Sequence, residues 1–181
     1  MTEAFDLPIL LWLQEHFRTG AAAHILEGIT FFGDKWWFWL GICAVLFIIP
    51  RTRYMAIPAA ISFCITIGIN SFFLKNIIGR VRPFVYTDLI VPAVEKLPDG
   101  FSFPSGHTAS AFAVALVLLW ADKRIGIPAV IFAAIMGFSR IALGVHYPTD
   151  VIAAFLLAFA VSIIVWLLWC LTPYARRHVN R

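Results

Sequence analysis

The sequence predicts an all-α protein: a polytopic transmembrane helical bundle of five to six spans, preceded by N-terminal amphipathic helices in the membrane interface. Three observations predict it. Of the 181 residues, 61% are hydrophobic and only 13% are charged, against about 45–50% apolar and about 25% charged in a soluble domain. Mean hydropathy is +0.88, and the apolar residues gather in runs that approach or exceed the ~20 residues a spanning helix needs. The basic residues collect in alternate connections between those runs. So little charge excludes a disordered chain, a disulfide-stapled secreted domain, a collagen-like chain and a soluble nucleic-acid binder. The net charge of +4 is what basic membrane loops produce.

Taken in order, the first 35 residues differ from the rest. Phe5, Ile9, Leu13 and Phe17 recur at helical spacing, with Asp6, Glu15 and Arg18 among them. Residues 21–32 include His24 and Glu27. Neither piece is long enough to span alone, so both are expected to lie in the interface; a sixth span in this region is the alternative. The expected division is therefore 1–35, an interfacial helical segment, and 36–181, a single transmembrane core. Residues 36–50 open with Trp36, Trp37 and Trp39, an interfacial aromatic belt. Residues 54–74 have no charge at all. Residues 107–121 and 125–143 are apolar with a polar residue at one end, and 151–175 is the longest run. Cys43, Cys64 and Cys170 all lie inside apolar runs, where cysteine is a packing residue. The Met-Thr-Glu-Ala-Phe-Asp start lacks the basic region of a cleavable signal.

Arg51 and Arg53, then Lys123 and Arg124, then Arg176, Arg177 and Arg181 lie in alternate connections or at the C-terminus. These are seven of the 14 basic residues, accompanied by one acid, Asp122. The positive-inside bias puts that side in the cytoplasm. Residues 75–106 and 140–150 then share the opposite, extracytoplasmic side, where they can meet.

Three polar clusters lie on that outer side. In the first, Lys75 and Arg82 are seven residues apart, so a continued helix would project them from one face, with Arg80 pointing elsewhere. Taken alone, this cluster reads as basic residues snorkelling to the interface. In the second, Pro104-Ser105-Gly106-His107 runs into an apolar helix. Ser105 suits the N-cap, Gly106 leaves the first-turn amides open, and a helix start with bare N–H groups is an anion site. His107 sits in that first turn and needs an anion nearby to stay protonated. In the third, Ser139 and Arg140 precede His146, Tyr147, Pro148 and Asp150. Pro148 suits a first helical turn. Asp150 is near enough to His146 to hold one ring nitrogen and leave the other free as nucleophile or base. His16, His24 and His178 lack such company and read as ordinary interfacial histidines.

Together the clusters bring Lys75, Arg82 and Arg140 to bare helix amides and two histidines. Three cations at one interfacial site need a multiply charged anion, and arginine forks match phosphate oxygens. No residue set suggests a metal, and no GxxxxGK loop is present. The chemistry expected is phosphoryl transfer to a histidine and then to water, with no cofactor. A headgroup-binding or lipid-flipping protein would need the cations but not a poised histidine. A transporter would want charge near the membrane midplane, where only Ser62, Thr66, Asn70 and Ser71 are polar.

At these residues the sequence resembles the type-2 phosphatidic acid phosphatase superfamily. Its tripartite signature (Lys-x6-Arg-Pro, Pro-Ser-Gly-His and Ser-Arg-x5-His-x3-Asp) is met by Lys75 to Pro83, by Pro104 to His107, and by Ser139, Arg140, His146 and Asp150. The resemblance implies that His146 attacks phosphorus, that Asp150 orients it, and that His107 protonates the leaving oxygen. It implies that Lys75, Arg82, Arg140, Ser105 and the Gly106 amide hold the phosphoryl oxygens. It also implies a lipid phosphate substrate in the inner or plasma membrane. Undecaprenyl diphosphate comes first among the substrates of short bacterial members; phosphatidate, phosphatidylglycerophosphate and lipid A 1-phosphate are the others. The loop 84–102, with Tyr86, Asp88, Glu95, Lys96 and Asp99, is expected to overhang the site. The sequence carries no signal for oligomeric state or for a nucleic-acid partner.

Overall fold

Helices follow the apolar runs, and proline, glycine and charge mark the breaks. A computed structural model describes residues 3–18, 20–34 and 36–179. It places α1 at Glu3–Phe17, α2 at Gly20–Asp34, α3 at Trp36–Ile48 and α4 at Arg53–Gly68. A π-helical turn, Ile69–Leu74, continues α4 into the single turn α5, Lys75–Ile78. After α6, Pro83–Tyr86, an irregular stretch leads to α7 at Gly106–Ala121. α8 follows at Lys123–Ala142, α9 at Pro148–Cys170 and α10 at Pro173–Val179. No strand occurs among the described residues. Arg181 and the side chains of Trp36 and His178 lie outside the described residues.

α7 is the centre of the bundle. Every residue from Thr108 to Leu118 is buried, with α4, α8 and α9 packed around it. Much of its surface is alanine, and small residues let helix backbones approach closely where lipid provides no hydrophobic drive. Gly126 shows how closely: a β-carbon there would strike the Leu119 backbone of α7. The outward faces of α4 and α9 carry Ile61, Ile65, Ile152, Leu156, Leu167 and Leu168, all exposed. In a membrane these side chains face lipid.

Three helical stretches are long and apolar enough to cross a bilayer: Arg53–Tyr86, Lys123–Ala142 and Pro148–Cys170. α7, with 16 residues, is shorter. Gly20–Gly33 and Trp37–Ile48 pass the same test only as a pair, meeting at 65°. The chain is a multi-pass membrane protein.

At one end of the bundle the α3–α4 and α7–α8 connections come together, tied by a hydrogen bond from the Tyr54 hydroxyl to the Ala121 carbonyl (3.3 Å). That end carries Arg51, Arg53, Lys123 and Arg124. The three polar clusters occupy the other end.

α1 differs from its expected orientation. Leu13 is buried and Ile9 and Phe17 are half-buried, but Phe5 is exposed. The inward stripe is Asp6, Leu10 and Leu13. Leu10 packs with Ile90 and Tyr147. Asp6 displaces Phe5 from the inner face because it has ionic and hydrogen-bonding partners there, described below.

Candidate active site

Each cluster reaches the site by its own route. Lys75 and Arg82 do not project from a continued helix. Gly79 takes the left-handed conformation (φ 60°, ψ 29°) and ends α5, and Pro83 holds Arg82 extended (φ −70°, ψ 153°). The turn, not helical spacing, brings the two cations together. Arg82 is almost fully buried. Its guanidinium donates to the carbonyls of Gly100 (2.9 Å), Asp99 (3.1 Å) and Val145 (3.0 Å). These three bonds fix the fork. The same Nη1 that bonds Val145 lies 3.3 Å from His146 Nε2.

Ser105 is the N-cap of α7, its Oγ accepting from Thr108 N (3.5 Å) and Thr108 Oγ1 (3.0 Å). Ser105 N donates to the Asp150 carbonyl at 3.2 Å, which ties the second cluster to the third. Nothing lies within 4 Å of where a Gly106 β-carbon would stand, so the start of α7 is open to approach from that side. Asn70, buried within the π-helical turn, donates to the Pro104 carbonyl at 3.5 Å and holds this loop from α4. His107 is half-buried in the first turn of α7 and packs against Gly33 of α2.

Arg140, at the end of α8, is 2% exposed. Its Nη1 donates to Thr30 Oγ1 at 2.8 Å. Thr30 in turn lies 3.1 Å from Ser139 Oγ, which donates to the Met136 carbonyl at 2.7 Å. With the one Ser139 hydroxyl proton so committed, the Thr30 hydroxyl must donate to Ser139, and the chain of donors has one direction. Ser139 therefore steadies Arg140 through Thr30.

His146 follows the left-handed turn at Gly144 (φ +76°) and is 2% exposed. Its Nδ1 faces Asp150 Oδ2 at 3.4 Å, and the same oxygen accepts from Tyr147 N at 3.0 Å. Burial pushes the His146 pKa well below its ordinary value of 6.5, and Arg140, Arg82, His107 and Lys75 push it further down. The imidazole is therefore neutral at physiological pH. With a proton on Nδ1 shared toward Asp150, the lone pair is on Nε2, aimed at the Arg82 fork. A neutral ring with its lone pair directed into a cluster of cations has the chemistry to attack an anionic electrophile.

Arg80 does not point elsewhere. Its Nη1 donates to Asp150 Oδ1 and Thr149 Oγ1, both at 2.7 Å, and its Nη2 donates to Asp6 Oδ2 at 2.7 Å. It also stacks on the Tyr147 ring, 3.7 Å from its centroid. Asp6, Thr30, Gly33, Asn70, Arg80 and Tyr147 were not among the residues expected at the site. An aspartate set among the apolar residues Phe5, Leu7 and Ile9 was the one sequence signal that could have found Asp6.

A cleft of about 650 Å³ opens beside Arg140, between α2 and residues 94–99. Its lining includes His24, Glu27, Thr30, Lys96 and Asp99, so His24 belongs to the cleft wall. Glu27 accepts from Glu95 N at 2.7 Å and fastens α2 to this part of the loop.

The PAP2 superfamily model matches residues 55–172. The chain belongs to the PAP2 superfamily. Every site residue expected from the sequence lies inside the matched PAP2 segment, whereas Asp6, Thr30 and Gly33 lie before it. Among PAP2 relatives, the undecaprenyl-diphosphatase of Sulfolobus acidocaldarius is 36% identical over 142 residues, covering 76% of this chain and 68% of that protein. Undecaprenyl-diphosphatase BcrC of Bacillus subtilis is 43% identical over 99 residues, covering 52% of this chain and 50% of that protein. The crystal structure of a transmembrane PAP2 type phosphatidylglycerolphosphate phosphatase from Bacillus subtilis superposes with a TM-score of 0.74 at 26% identity. That match covers 92% of this chain and 85% of the other. Like these PAP2 proteins, the chain is a membrane lipid phosphatase.

Proposed function

We propose that the chain hydrolyses undecaprenyl diphosphate to undecaprenyl phosphate and inorganic phosphate through a phosphohistidine at His146. The observation that carries the reading is the buried, neutral His146, held by Asp150 on one nitrogen and facing Arg82 with the other. The similarity to two undecaprenyl-diphosphatases supports the choice of lipid.

The terminal phosphorus would sit between His146 Nε2 and His107, its oxygens taken by Lys75, Arg82, Arg140 and the open start of α7. Nε2 attacks; the bond from phosphorus to the bridging oxygen breaks; and His107 gives that oxygen a proton as undecaprenyl phosphate leaves. Asp150 stabilises the positive charge the ring acquires. Water then attacks the phosphohistidine, with His107 taking its proton, and phosphate and neutral His146 are regenerated. The fixed cations act where charge builds on the equatorial oxygens, which is the largest effect available to a phosphoryl-transfer site.

The site faces the extracytoplasmic side in this reading, with the C-terminus in the cytoplasm. The basic connections at the far end of the bundle support that orientation. The lipid tail remains in the bilayer while the cleft beside Arg140 receives the polar end of the substrate.

The test is phosphate release by purified protein in EDTA, comparing undecaprenyl diphosphate, phosphatidate, phosphatidylglycerophosphate and lipid A 1-phosphate. Undecaprenyl diphosphate is expected to give the highest kcat/KM. A higher value for another lipid would replace it as the substrate.

A further inference from the structure

Asp6 is a fully buried carboxylate that the phosphoryl transfer does not itself require. Its Oδ2 accepts from Arg80 Nη2 (2.7 Å) and Thr149 Oγ1 (2.6 Å), and its Oδ1 accepts from Thr149 N (3.1 Å). Thr149 lies in the first turn of α9, where backbone N–H groups have no partner inside the helix. Asp6, 143 residues away in the chain, thus caps the helix that carries Asp150.

We propose that Asp6 is a positioning residue for the phosphoryl transfer: through Arg80 it sets the Asp150 carboxylate that orients His146. The proposal rests on His146 being the nucleophile.

The two oxygens of Asp150 have separate duties. Oδ2 faces His146 Nδ1 and accepts from Tyr147 N, while Oδ1 accepts from Arg80, and the Ser102 hydroxyl also donates to the carboxylate. At 3.4 Å the contact to His146 is longer than those to Tyr147 N and Arg80. A small rotation of the carboxylate about its own axis therefore breaks that contact first, and the ring loses its direction toward phosphorus. Arg80 shares the restraint with Ser102 and supplies its charged part, which holds only while its own long side chain is held. The Tyr147 ring and the Thr149 hydroxyl hold it, and Asp6 adds an ionic anchor from a different helix.

Charge points the same way. Lys75, Arg82 and His146 also face Asp150. With Asp6 in place, Arg80 is matched by a carboxylate of its own and does not compete with the phosphate-binding cations for the substrate. Without Asp6, the Thr149 amide loses its acceptor and Arg80 loses the ion pair that balances its bond to Asp150.

The residue that follows α1 secures the same region. Arg18 donates from Nε to the Ala142 carbonyl and from Nη1 to the Val91 carbonyl (3.0 Å). It also fills the space beside Gly144, where a β-carbon would meet its guanidinium. α1 thus braces both flanks of the loop that presents His146.

The experiment uses the full chain in detergent with undecaprenyl diphosphate as substrate. It compares wild type, Asp6→Asn, Asp6→Ala, Arg80→Lys, the double variant Asp6→Ala/Arg80→Lys, and His146→Ala. Asp6→Asn keeps the size of the side chain and an acceptor for Thr149 but removes the charge. It is expected to lower kcat at least tenfold and to weaken inhibition by vanadate, which mimics the pentavalent transition state on the same nitrogen, while KM stays within twofold. The double variant is expected to lose no more than the worse single variant, because both act through one carboxylate.

Three outcomes overturn the proposal. One is full activity in both Asp6 variants beside an inactive His146→Ala, which removes the positioning role alone. The second is a loss of kcat matched by equal losses in substrate affinity and thermal stability, as a merely structural role would give. The third is turnover by His146→Ala, which removes the nucleophile assignment itself.

Discussion

Gly33 of α2 lies so close to His107 of α7 that a β-carbon on it would occupy the space of the imidazole ring. The sulfur of Met136 closes the same space from α8. The position of the proposed acid is therefore set from outside its own helix, by an absent side chain. Gly33→Ala is expected to displace His107 and reduce kcat by about 10²-fold, the usual consequence of misplacing a reacting group by an ångström. Wild-type kcat in that variant would show that the ring has room to move without loss.

His146→Ala is expected to abolish phosphate release, and acid-quenched wild-type enzyme should carry phosphate on His146. Asp150→Asn is expected to lower kcat by about 10²–10⁴-fold, because an amide that donates toward Nδ1 favours the wrong tautomer. Equal activity in Asp150→Asn would reduce Asp150 to a helix-start residue.

The depressed pKa of His146 has a definite sign in pH experiments. Burial and the surrounding cations disfavour the protonated ring, so His146 stays neutral to lower pH than an ordinary histidine. The acid limb of kcat/KM assigned to it should lie below pH 6.5. Folding follows the same linkage: the folded state binds fewer protons than the unfolded chain. The contribution of His146 to stability is fully present above pH 6.5 and is lost as pH falls through its folded value. Thermal unfolding of wild type and His146→Ala across that range measures it, and the difference between them should shrink on acidification.

Gly144→Ala is expected to destabilise the protein by about 1–3 kcal/mol. Gly144 has φ +76°, a conformation that costs any residue with a β-carbon, and the added methyl would press on the Arg18 guanidinium. A melting temperature equal to wild type would contradict this.

Asp88 is exposed between α6 and the residues 94–99 that line the cleft. In a background with Cys43, Cys64 and Cys170 replaced by serine, Asp88→Cys should react with a membrane-impermeant maleimide in intact cells. Labelling only after the cytoplasmic face is opened would reverse the orientation.

The three polar clusters were legible because their residue types are costly at a membrane surface unless used. Ser105, Pro148 and Asp150 carry their own local rules for helix starts, and the structure follows them. The route from Lys75 to Arg82 was misread: periodicity favoured a continued helix, and Gly79 with Pro83 breaks it. Asp6 and Arg80 were missed for a different reason. Their partnership crosses 74 residues, and no local spacing rule reaches so far. Phe5 and Ile9 offered a simpler apolar stripe, and only the tertiary partner of Asp6 selects the other face.

Asp6 is joined to Thr149 and Arg80, so the site is closed by one of the first residues of the chain and one of the last helices. Synthesis delivers Asp6 before any of its partners exists, and its carboxylate cannot be enclosed until α9 has entered the membrane. Activity therefore reports completion of the whole bundle: an assembly intermediate that has inserted α7 and α8 but not α9 would have His107 and Arg140 in place and still be inert. A protein that ruptures phosphate bonds on a membrane lipid would in this way be silent until it is finished.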